Sequence, residues 1–123
     1  MADISQFLST AVFIARFTFW IACIVFAILC LIPTDYLDST GLFDWWDKAQ
    51  HVLAFFCLCI LGVFSYQTDI GKIVVGLLIY GCLIEVLQWQ TGWRSGEFAD
   101  WIADVIGILF GVLFMNRLIC RRS

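Results

Sequence analysis

Apolar positions in this chain do not alternate with polar ones, and they do not form a single stripe at helical spacing. They fill four long runs, at about residues 7–32, 51–66, 70–89 and 98–116, with short polar stretches between them. A segment apolar on all sides has no wet face, and a helix needs about 20 mostly apolar residues to cross a bilayer. Each run is therefore read as a membrane-spanning helix, the first ending at Pro33 and the second starting at about His51. The connections carry turn residues: "PTDYLDSTGLFDWWDK", with room for one surface helical turn, then "QTDIGK" and the glycine-containing "QTGWRSGE". The predicted fold is all-α: a polytopic membrane protein with one domain over residues 1–123, built as a four-transmembrane-helix bundle.

Composition strengthens this reading. Of 123 residues, 63% are hydrophobic and 14% charged, more apolar surface than a soluble domain of this size has interior to hide. The lipid bilayer is the expected surrounding partner. A net charge of −3, spread over short loops and the C-terminus, gives no basic stripe, which excludes nucleic-acid binding. The start, "MADISQFLSTAVFIARFTFW", lacks a basic leader region and reads as a retained anchor. Six cysteines without CxxC or finger spacing read as small apolar fillers, with Cys57 and Cys59 on nearly opposite sides of their helix.

Four crossings put both termini on one side. Lys72, Arg117, Arg121 and Arg122 lie on that side, near Arg16, whereas only Lys48 and Arg94 lie opposite, so the positive-inside rule predicts cytoplasmic termini. Trp45, Trp46, Trp89, Trp93 and Trp101 then mark the outer interface. Arg16 is expected to snorkel to the cytoplasmic headgroups.

The segment directions also gather the ionisable residues. His51 opens the second helix at the outer face, Glu85 and Gln88 end the third there, and Asp100 and Asp104 begin the fourth. At ~1.5 Å rise per residue, Glu85 lies about 6 Å inside Trp89 and Asp104 about 10 Å below Glu97. Asp47 and His51 are four apart with Lys48 adjoining, and Gly107 and Gly111 continue the stripe of Asp100 and Asp104. Those glycines predict close helix packing within the bundle, with a homo-oligomer seam as the alternative. Ionisable residues inside a membrane mark working sites by default, and His51 reads as a proton acceptor or a metal ligand. The candidate cluster is His51, Glu85, Arg94 and Asp100, supported by Asp47, Lys48, Gln88 and Asp104. A set of ion pairs fixing helix register is the competing reading. No pattern names a cofactor.

"DKAQH" (Asp47, Lys48, His51), "EVLQ" (Glu85, Gln88) and "RSGEFADWIADVIGILFG" (Arg94, Asp100, Asp104, Gly107, Gly111) together resemble the VanZ-like family of small bacterial membrane proteins, named after a protein associated with teicoplanin resistance. The ordered set covers about 70 residues, and its specificity lies in the combination. Where Asp104 stands the family pattern commonly has asparagine, which favours orientation or hydrogen bonding at that position over acid–base catalysis. The resemblance implies a multi-pass protein of the bacterial cytoplasmic membrane that influences glycopeptide susceptibility, with a lipid-linked envelope precursor as partner. Two other functions fit the residues. One is a membrane-embedded enzyme acting on a lipid head group or lipid-linked phosphate, with His51 or Glu85 as base, Arg94 and Lys48 holding phosphate oxygens, and Asp100 orienting the base or holding a divalent metal. The other is a small proton-coupled carrier titrating at Glu85 and Asp104.

Overall fold

A computed structural model describes residues 2–31, 42–66, 70–92 and 98–122, and side chains within 3–31, 48–66, 70–92 and 98–120. The described residues form four helices: α1 (Ala2–Leu31), α2 (Leu42–Tyr66), α3 (Ile70–Thr91) and α4 (Phe98–Arg122). Each contains a stretch long and apolar enough to cross a membrane: Asp3–Leu31, Lys48–Tyr66, Ile70–Thr91 and Phe98–Cys120. The chain is thus an all-α, multi-pass membrane protein.

All four helices outrun the apolar segments that predicted them at one end. The greatest difference is in α2, which begins at Leu42 rather than at His51. Hydropathy marks where the bilayer begins, whereas a helix continues as long as its backbone bonds do, and neither Gly nor Pro interrupts residues 42–61. The residues 42–50 expected in a loop are therefore the first turns of α2, and His51 lies more than two turns inside it. At the other end of the bundle, α4 runs on to Arg122. Gly92 stops α3: its φ of 80° is a left-handed conformation that glycine adopts without a Cβ clash. Thr91 Oγ1 donates to the Gln88 carbonyl at 2.7 Å and satisfies one of that helix's terminal acceptors.

The bundle is built around α2, which packs against α1, α3 and α4; α3 also touches α1 and α4, while α1 and α4 do not meet among the described residues. Phe55 is completely buried at the centre, edge-on to Phe26 of α1 at 5.6 Å and tilted against Tyr80 of α3 at 5.8 Å. The Tyr80 hydroxyl donates to the Cys23 carbonyl and ties α3 to α1. Phe19, Cys23, Leu58, Cys59, Val63, Leu77 and Ile108 complete this core. Large apolar side chains such as Phe7, Phe13, Val75, Ile79, Leu109 and Leu113 are exposed, as a lipid-facing surface requires.

Closest approach occurs between α2 and α4. A Cβ on Gly107 would stand 2.3 Å from the Val52 carbonyl oxygen, and one on Gly111 2.7 Å from Cys59 Cβ. Both glycines thus face α2, in the packing groove expected from their spacing. Cys59 is buried there while Cys57 is exposed, and all six cysteines are free thiols. Arg16 Nε donates to the Ser65 carbonyl at 3.0 Å, and its guanidinium lies 4.7 Å from the centre of the Tyr66 ring, so it caps the end of α2.

Candidate functional site

The end of the bundle opposite Arg16 holds most of the buried polar side chains. His51 and Asp104 are fully buried, Gln88 is 1% exposed, Asp100 is buried and Glu85 partly so. α2 supplies His51, α3 supplies Glu85 and Gln88, and α4 supplies Asp100 and Asp104. The antiparallel course of the chain makes this convergence: α2 and α4 begin where α1 and α3 end.

His51 is the hub of the layer. Its Nδ1 lies 2.6 Å from Asp104 Oδ1, joining α2 to α4 inside the bundle. On the other side of the ring, Nε2 faces the Cys30 thiol at 3.9 Å. Phe26 covers the ring edge-on at 5.1 Å. The Cys30 carbonyl accepts a hydrogen bond from Gln88 Nε2 at 2.9 Å, so α1 and α3 are joined one step away from the imidazole. All four helices therefore contribute to its surroundings.

A glycine makes room for this arrangement. A Cβ on Gly81 would come within 2.7 Å of Asp104 Oδ2 and 3.4 Å of Phe55 Cζ, so only a residue without a side chain lets the carboxylate lie against α3. Glu85, one turn further along α3, places a carboxylate oxygen near the pair: atoms of His51, Glu85 and Asp104 all lie within 4.8 Å of one another. Nearer the start of α4, Asp100 Oδ1 is 3.9 Å from Lys48 Nζ, with the Lys48 side chain 36% exposed and that of Asp100 6%. The two aspartates share a helical face but divide the work, Asp100 at the rim and Asp104 within.

Of the sequence candidates, the structure thus groups His51, Glu85 and Asp104 tightly, with Gln88 linked through Cys30, and places Asp100 with Lys48 beside them. His51 was expected at the mouth of this layer and lies inside it, because α2 starts earlier than its apolar run. Arg94 and the Asp47 side chain lie outside the described residues. Cys30 and Gly81 were not singled out from the sequence. Cys30 had a readable signal, since it sits at the same end of its helix as Gln88 does on α3, whereas the role of Gly81 depends on the rotation of α3 against α4.

Chemically, an imidazole joined to a carboxylate can take up or release a proton without leaving an isolated charge in a low-dielectric interior. Two carboxylates and an imidazole also form a donor set suited to a divalent cation.

A four-helix, multi-pass membrane protein with a layer of ionisable groups inside one end of its bundle is the class that fold and geometry define. Within that class the chain belongs to the VanZ/LLP1 family, whose model matches residues 7–120. No curated protein and no solved structure matches it.

Proposed function

We propose that this protein is a VanZ-like component of the bacterial cell envelope, held in the cytoplasmic membrane with both termini in the cytoplasm, and that it lowers susceptibility to glycopeptides such as teicoplanin through the polar layer around His51. The family match across nearly the whole chain supports the cellular role. The observation that carries the site is the 2.6 Å His51–Asp104 pair inside the bundle. Burying such a pair is costly, and lipid-soluble side chains of similar volume would hold the helices together at least as well, so its presence favours a working role. With the outer side assigned by the excess of Lys and Arg near the termini, the layer lies under the outer leaflet, where lipid-linked precursors are exposed to glycopeptides.

A second reading, a membrane-embedded enzyme acting on a lipid-linked phosphate, draws on one specific feature. Lys48 lines an open groove of about 530 Å³ together with Ala49, Val52, Ala99, Ile102, Ala103 and Ile106. An apolar groove with an ammonium group at its edge suits a lipid tail carrying an anionic head.

Glycopeptide susceptibility of cells producing the wild type, His51→Ala or Glu85→Gln at matched membrane levels tests the proposal. Loss of protection without loss of protein supports a working layer. Loss of the protein itself would make the layer a structural element. Chemical turnover of a lipid-linked phosphate, abolished by the same variants, would favour the enzyme.

A further inference from the structure

Three side chains that converge at the centre of the polar layer form a donor set of a particular kind. A ring nitrogen of His51, a carboxylate oxygen of Glu85 and one of Asp104 come from three different helices and lie within 4.8 Å of one another. About a zinc ion, with bonds of about 2.0–2.2 Å, two ligand atoms stand roughly 3.3 Å apart, so a small adjustment of side chains brings these three around one ion.

We propose that His51, Glu85 and Asp104 bind a divalent transition-metal ion, with zinc as the probe of choice. The 2.6 Å gap between His51 Nδ1 and Asp104 Oδ1 is a hydrogen-bond distance, bridged by a proton in the metal-free state and by the ion in the loaded state, in which the two atoms part to ligand spacing. The ring is set for the second case: Cys30 faces Nε2, so Nε2 can keep its proton while Nδ1 presents its lone pair to the ion. A further observation points to a ligand. Gln88, 1% exposed and one turn from Glu85, holds its Oε1 buried without a hydrogen-bond partner among the described residues. That oxygen suits a metal-bound water or a fourth ligand position. One imidazole and two carboxylates favour zinc, manganese or iron(II) over a thiolate-seeking metal. This site shares residues with the proposed functional layer, but metal binding is measured on the purified protein and stands or falls separately from glycopeptide protection.

The full-length protein is purified in detergent, stripped with a chelator, and titrated with Zn²⁺ against a competing dye, with the bound metal counted by mass spectrometry. Expected are one zinc per chain and at least ~10-fold weaker binding in His51→Ala, Glu85→Gln and Asp104→Asn. The triple variant Cys57→Ser/Cys82→Ser/Cys120→Ser, which removes the exposed thiols, should bind as the wild type does. Cobalt(II) in the same site should give visible absorption without a thiolate charge-transfer band. Folding of each variant is followed by helical circular dichroism and gel filtration. Because the wild-type titration decides by itself, a variant that fails to fold leaves the outcome readable. Folded wild type that binds no zinc above background overturns the proposal, as does binding that persists in all three site variants or disappears with the exposed cysteines.

Discussion

His51 is held from several sides: Asp104 at Nδ1, Cys30 at Nε2 and the Phe26 ring against its face. Removing a partner from a buried polar group costs more than the net value of the bond, because the remaining atom is left desolvated. Asp104→Ala should therefore lower the stability of the purified protein by about 1–3 kcal/mol. Asp104→Asn keeps an acceptor oxygen at the same place and should lose clearly less, which thermal unfolding followed by circular dichroism will show. Equal losses would mean that the bond to His51 contributes little. Residue-scale chemistry was legible in the sequence as far as types and depth allow: His51, Glu85 and Asp104 declare themselves as ionisable residues at one end of apolar runs. Which of them touch was not legible, because contact depends on helix rotation, and rotation is set by packing at places such as Gly81.

At the scale of the helices, α2 and α4 form the closest pair, and two glycines on α4 make that possible. Gly107→Ala would press a Cβ onto the Val52 carbonyl, a backbone atom that moves only if the helices separate. Its expected cost is about 1–3 kcal/mol, with the His51–Asp104 contact loosened as well. Gly76 on α3 is the control: a Cβ there meets nothing within 4 Å, so Gly76→Ala should be neutral or gain about 0.5–1 kcal/mol from helix propensity. Thermal unfolding of the two variants side by side separates close packing from a general intolerance of substitution. If Gly107→Ala matched Gly76→Ala, the α2–α4 seam would not be what holds the site together. Spacing on α4 gave the glycine seam in advance, but the start of α2 escaped notice, since "LFDWWDKAQ" is polar enough to resemble a loop while containing nothing that breaks a helix.

For the whole molecule, membrane direction decides what the polar layer can meet. Under the proposed orientation, drawn from the bias of Lys and Arg, the termini are cytoplasmic and the layer lies under the outer leaflet. Alkaline phosphatase should therefore be active when fused after Ser39 and inactive when fused after Ser123, where a green fluorescent protein should glow instead. The reverse pattern would turn the site towards the cytoplasm. The number of crossings was legible from four apolar runs alone, because lipid leaves a spanning chain few choices besides helices. The order of packing around α2 was not, since side chains as apolar as lipid tails fix no neighbour by hydrophobicity.

The central claim, that the layer around His51 is where this protein works, is tested most directly by teicoplanin susceptibility of cells producing His51→Ala at the same membrane level as the wild type. The account predicts that susceptibility rises to that of cells lacking the protein. Protection equal to the wild type at equal abundance would contradict it.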